Sequence, residues 1–190
     1  MAWDTERTRR LLLDAAVSNF AAHGFAGASV QRIAVDAGVN KERIYQYFGD
    51  KRGLFERAIE AQVVHLLDGV EVDGKGPDAV GAFAGALHDR VADRPALARL
   101  LAWESLELGA PAATEERREH CASMAAALRR AVPSTDGAGA EQLLLTIVFI
   151  VTAEQTLSHL SDVILTSESA RAARRAAVVA QATALARVEG

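Results

Sequence analysis

The sequence predicts an all-α protein of about nine helices, and three observations lead there. Apolar residues recur at helical spacing along most of the 190 positions, the pattern of helices that each bury one stripe. No segment alternates apolar and polar residues over a strand's length with Val, Ile and Thr enriched. Glycine and proline fall between the periodic segments, where they punctuate helices.

The first helix runs from about Thr5 to His23, with Leu12, Ala16 and Phe20 at i, i+4 and i+8 and Leu13 and Val17 beside them. Gly24 ends it. Ser29 offers a capping hydroxyl for a short helix through about Ala37; the third residue on is Arg32, so there is no full capping box. Gly38 breaks that helix, and Asn40 caps the next, Lys41 to about Phe48. Asp50 caps a longer helix from Lys51 to about Asp68. After a turn-rich stretch, Gly69 to Asp78, Pro77 and Pro95 suit first helical turns and predict helices near 77–92 and 95–109. Gly109, Ala110 and Pro111 precede a helix near 114–131, and the stretch from Pro133 to Gly139 is a loop. Helices at about 140–162 and 168–188 complete the chain.

Composition narrows the class. Half of the residues are hydrophobic and 24% are charged; a chain of this size buries about 70% of its unfolded surface, so a core forms without staples. The single cysteine, Cys121, excludes a disulfide framework and a thiolate metal site. The start, Met1 to Arg10, is charged and runs into a helical pattern, unlike a secretory leader. The longest mostly apolar run, Leu143 to Ala153, has 11 residues, against about 20 for a bilayer span. A cytoplasmic protein with no membrane partner is the expectation. The net charge of −4 argues against a protein that coats nucleic acid wholesale. Yet the charge is uneven: residues 1–52 carry eight Lys/Arg against six acids, and the other 138 carry 13 against 19. A small segment able to meet an anion precedes a larger acidic body.

The segment from Ser29 to Lys51, SVQRIAVDAGVNKERIYQYFGDK, places two short helices around a glycine-containing turn. That is the helix-turn-helix pattern, whose second helix lies in the DNA major groove. Val30, Ile33, Ala34, Ala37, Val39, Ile44 and Phe48 can pack inward against Phe20 and Phe25. Ile44 and Phe48 share a face, leaving Glu42, Arg43 and Gln46 opposite and Lys41 and Tyr45 on the flank. An ordinary αα-hairpin with surface charges would show the same pattern.

The residues also resemble a known family. Leu12-Leu13-Asp14-Ala15-Ala16, Phe20-Ala21-Ala22-His23-Gly24-Phe25, Ile33-Ala34 and Ala37-Gly38-Val39 stand in order, followed by Ile44-Tyr45-Gln46-Tyr47-Phe48, Lys51 and Leu54-Phe55. Over about the first 60 residues this resembles the DNA-binding domain of TetR/AcrR-type transcriptional regulators. Two positions depart: Glu42, where a small residue or proline is commoner, and Asp50, where Ser or Asn is common. Asp50 remains a good cap; Glu42 either reads a cytosine amino group or forms an intrahelical pair.

The resemblance implies a helix-turn-helix DNA-binding domain over 1–52 (motif about 29–48), a connecting helix over 53–68 and an effector-binding and dimerisation domain over 69–190. By position in the motif, Lys41, Tyr45, Gln31 and Glu42 are expected at base edges, and Ser29, Arg43, Tyr47 and Lys51 at phosphates. It also implies a homodimer through the last two long helices. There Ala172, Ala176, Ala180 and Ala184 form a flat stripe suited to close helix approach, either within the core or across subunits. Leu143 to Ala153, apolar almost all round, reads as a buried helix. Phe83, Leu87, Leu100, Trp103, Met124, Leu128 and Phe149 are the candidates for an apolar effector pocket, each equally suited to plain core packing. Glu104 and Glu107 near Trp103 leave a cationic ligand open.

Other motifs carry less. Gly69 to Lys75 reads G-x-x-x-x-G-K, but Gly76 stands where a phosphate loop needs Ser or Thr, and a helix precedes it. His23, His65, His88, His120 and His159 are dispersed, in no metal-ligand spacing. No metal, no cofactor and no catalytic constellation is expected. The reading is a TetR-like, ligand-responsive repressor that binds a palindromic operator as a dimer; the alternative is a ligand-independent DNA-binding or architectural protein, which the acidic net charge disfavours.

Overall fold

The structure, a computed structural model, describes residues 2–67, 69–112 and 115–188. Among them are eleven helices and no strand. They are α1 (Ala2–Gly27), α2 (Val30–Asp36), α3 (Glu42–Phe48), α4 (Lys51–Leu67), α5 (Pro77–Asp93), α6 (Pro95–Glu107), α7 (Glu115–Ala131), α8 (Gly137–Thr156), α9 (Ser158–Ile164), α10 (Glu168–Ala172) and α11 (Arg174–Val188). The all-α class holds, with two more helices than the nine expected. The helix expected over 140–162 divides at Leu157, whose φ of −118° and ψ of 45° are not helical. The hydroxyls of Thr152 and Thr156 bond carbonyls one turn back, at 2.7 and 3.0 Å, a pattern that bends helices. The helix expected over 168–188 is interrupted at Ala173. The ends expected at Asp68 and 114 lie outside the described residues.

The chain forms two compact units. One joins Met1–His65 to Ala96–Glu115, the other Leu66–Pro95 to Glu116–Gly190. In the first unit Leu12, Phe20, Ile33, Ile44, Leu54, Phe55, Ile59 and Leu100 are wholly buried, each burial contributing about 1.5–3 kcal/mol. Phe20, Phe25 and Phe55 pack as a triad with centroids 4.9–6.2 Å apart. The helical dihedrals of α1 break at Gly24 (φ 73°), the residue that sequence marks as its end.

In the second unit Val80, Phe83, Leu87, Leu128, Ile147, Val151, Val178 and Ala182 are buried. The tightest seam lies between α5 and α11. A Cβ on Gly81 would meet Thr183 Oγ1 at 2.1 Å and the Val179 carbonyl at 3.1 Å, and one on Gly85 would meet Val179 Cγ2 at 2.8 Å. Close approach therefore comes from the glycines of α5 and the Val178–Ala182–Ala186 face of α11, and Ala172, Ala176, Ala180 and Ala184 are all exposed.

Helix α8 differs from its expectation of burial all round. Leu143, Leu144, Ile147 and Val151 are buried, whereas Leu145 and Phe149 are 45% and 62% exposed. At 20 residues, α8 is also long and apolar enough, by length and composition alone, to cross a membrane, as the 11-residue run was not. A core helix with one covered apolar face meets the same criterion.

Candidate DNA-binding surface

The helix-turn-helix is built from short-range bonds. Ser29 is extended (φ −115°, ψ 121°), and its hydroxyl accepts from the Arg32 N–H at 3.4 Å, capping α2. The turn closes through Gly38 N–H to the Val35 carbonyl (3.0 Å) and Val39 N–H to the Ala34 carbonyl (2.9 Å), with Gly38 at φ 65°. That left-handed conformation favours glycine. The cap expected at Asn40 shifts by one residue: α3 starts at Glu42, and the Asn40 side-chain oxygen accepts from the Glu42 N–H at a long 3.5 Å. Asp50 caps as expected, its carboxylate accepting from the Gly53 N–H at 2.8 Å.

Burial of Ile44 and Phe48 fixes how α3 is rolled. Lys41, Glu42, Arg43, Tyr45 and Gln46 are consequently exposed, and Tyr47 is half-buried. The Arg43 guanidinium donates to Gln46 Oε1 at 3.3 Å and to the Tyr47 hydroxyl at 3.5 Å. Among the described residues the Glu42 carboxylate makes no ion pair, so the intrahelical alternative for it is not formed. On α2, Ser29, Gln31, Arg32, Val35 and Asp36 line an open groove of about 490 Å³. Asp36 accepts from Asn19 Nδ2 at 3.1 Å, tying α2 to α1. Lys51 donates to the Ala26 carbonyl at 3.2 Å and sits 4.9 Å from the Phe25 ring centroid, so its ammonium is held at the start of α4.

The remaining candidates fall in both units. Leu100 and Trp103 belong to the first, and Phe83, Leu87, Met124, Leu128 and Phe149 to the second. Phe83, Leu87, Leu100 and Leu128 are buried, Met124 and Trp103 half-buried, and Phe149 exposed. Trp103 Nε1 donates to the Ala21 carbonyl at 3.3 Å, and Glu107 accepts from the Ala26 N–H at 2.8 Å. A Cβ on Gly24 would stand 2.8 Å from the Glu107 carboxylate and 3.0 Å from the Trp103 ring. Arg52 donates to the Ala110 and Pro111 carbonyls at 3.3 and 3.4 Å, and buried Glu104 accepts from the Ala112 N–H at 2.6 Å. Sequence reading missed this clasp of α6 on α1, whose partners stand more than 80 positions apart. Among the described residues no three His, Cys, Asp or Glu side chains are grouped to hold a metal ion.

Comparison with known proteins decides the family. Residues 12–58 match the family described as bacterial regulatory proteins, tetR family, and residues 79–184 match the tetracyclin repressor-like C-terminal domain. The chain belongs to the TetR family. It is 40% identical over 152 residues to the HTH-type transcriptional repressor SCO4008 of Streptomyces coelicolor, covering 77% of this chain and 78% of the relative. The putative transcriptional regulator SCO4942 of the same organism is 31% identical, with a TM-score of 0.71 over 92% of this chain and 96% of that one. A TetR variant of Acinetobacter baumannii, solved in complex with minocycline, shares the fold at 16% identity (TM-score 0.64, covering 94% and 96%). As a TetR-family protein the chain is a helix-turn-helix, DNA-binding transcriptional repressor.

Proposed function

We propose that this TetR-family chain acts in the cytoplasm as a homodimer that binds a palindromic operator and releases it when a small molecule occupies the body. The observation that carries the DNA half is the roll of α3. With Ile44 and Phe48 buried, one continuous polar face carries Lys41, Glu42, Arg43, Tyr45 and Gln46. Lys41, Tyr45, Gln31 and Glu42 then read base edges, while Ser29, Tyr47 and Lys51 hold phosphates and Arg43 serves either role.

A single seven-residue helix reads too few base pairs for specificity, and two-fold pairing doubles the site, with half-sites about 34–36 Å apart or a multiple of that. The apolar surface left open on α8, α9 and α11 supports such pairing. Leu145, Phe149, Leu160, Val163 and Ile164 are each at least 45% exposed, and large apolar side chains gain from being covered by a partner. The alanine stripe of α10 and α11 would face the partner subunit. Phe83, Leu87, Met124, Leu128 and Phe149 remain pocket candidates on the body. Leu100 and Trp103, the other two candidates, lie in the first unit, on the helix clasped on α1. An effector shifts operator affinity only by its difference in affinity for two arrangements of the protein.

Genome-wide mapping of bound DNA, followed by operator titration against compounds related to the neighbouring genes' chemistry, tests this. The expected result is a few palindromic sites and release by one compound class. Dispersed binding without palindromes, unaffected by every such compound, would instead favour the ligand-independent DNA-binding protein.

A further inference from the structure

Among the described residues of the second unit, one histidine is buried without a hydrogen-bond partner. His88 of α5 has both ring nitrogens closed off from solvent, and neither makes a hydrogen bond; its side chain is 12% exposed. Unpaired buried polar atoms are few in folded proteins, and each calls for a partner. Nε2 faces Glu154 of α8 across 3.9 Å, beyond hydrogen-bond length. Nδ1 faces Asp89 across 3.6 Å, but that carboxylate is taken by Arg175 of α11, whose Nε donates at 2.8 and 2.9 Å. Arg174, the other cation at this end of α11, donates to the Ile150 carbonyl at 2.6 Å. Among the described residues the Glu154 carboxylate meets only this imidazole, at 3.9 Å; the side-chain oxygen of Gln155, the next residue, is buried and unpaired.

We propose that His88 and Glu154 form the polar end of the effector site, and that the effector is an apolar molecule carrying an ammonium group. The Glu154 carboxylate and, in a neutral imidazole, one ring nitrogen are open acceptors, against a single imidazole N–H. An ammonium donates to Glu154 and to the acceptor nitrogen of His88 together, bridging the gap neither closes alone. An anionic effector would be repelled by the Glu154 carboxylate, which an ammonium instead pairs. This rests on the effector-responsive reading above and specifies its ligand.

The test is calorimetric titration of the full chain with 1-naphthylmethylamine, protonated at neutral pH, and with 1-naphthylmethanol as the uncharged isostere. The amine is expected to bind wild type at least about tenfold more tightly than the alcohol, and Glu154→Gln to erase that difference. Glu154 is a third exposed, so the conservative variant is expected to fold. In a sample labelled with nitrogen-15 at histidine, the His88 ring resonances are expected to shift with the amine and not with the alcohol. Equal binding of the two compounds, an unaffected Glu154→Gln variant, or unmoved His88 resonances would each overturn the proposal. Operator release is scored separately. Amine seated at His88 and Glu154 without release leaves the site standing and removes the effector-responsive reading; release by a compound indifferent to both residues does the reverse.

Discussion

Helix α3 offers lysine, arginine, glutamate, tyrosine and glutamine to solvent, whereas α8 and α9 offer Leu145, Phe149, Leu160, Val163 and Ile164. Both surfaces are left open by the chain's own packing, yet they call for opposite partners. Polar groups on a short, well-braced helix gain most from a partner that replaces their lost water bonds with directed ones, as base edges and phosphates do. Large apolar side chains gain simply from being covered, and in the proposed dimer a second copy of the same surface covers them. On the proposed function, one chain carries a specificity surface in its first unit and an adhesive one in its second.

Breaking the adhesive surface should have the largest effect. On α11, which the proposed dimer adds to that surface, Ala180→Glu or Ala176→Arg sets an unpaired charge in the proposed seam between subunits, at a cost on the order of several kcal/mol. Because both positions are exposed in the single chain, light scattering should find a folded monomer with operator binding largely lost. An unchanged mass for both variants would remove α11 as the seam.

Within the first unit, Gly24→Ala tests the clasp rather than the groove contacts. It forces a Cβ onto a residue at φ 73° and to within 2.8 Å of Glu107, and should destabilise by about 1–3 kcal/mol in urea unfolding. Wild-type stability would show that neither the backbone conformation at Gly24 nor the α6 contact resists a side chain there. On the specificity surface, Lys41→Ala should cost roughly 1–3 kcal/mol of operator affinity and relax preference at one base pair. Uniform weakening across sequences would reassign Lys41 to a phosphate. The smallest effect belongs to Lys51→Ala, expected to weaken all DNA alike and reduce the salt dependence by about one unit of slope. Its ammonium already bonds the Ala26 carbonyl, so an unchanged slope would mean that the lysine braces α1 against α4 instead.

Sequence alone determined the helices and the identity of the DNA-binding segment, because those depend on neighbours a few positions apart. The stripe of Leu12, Ala16 and Phe20, the Ser29 and Asp50 caps and the turn at Gly38 all act within a helical turn or two, so spacing suffices to read them. Helix ends were less legible: Asn40 and Lys41 differ by one residue in register, and the break at Leu157 depends on threonine back-bonding that the apolar pattern conceals. Only the tertiary structure decided that α6 packs with the head through Trp103 and Glu107, and that Gly81 and Gly85, rather than the alanine stripe, admit the close helix inside the body. It alone exposed Phe149 and left His88 without a bond. Such pairings join residues far apart in sequence, and an apolar stripe records only that a face is to be covered. Which partner covers it depends on how all the helices pack at once, and no local spacing carries that information.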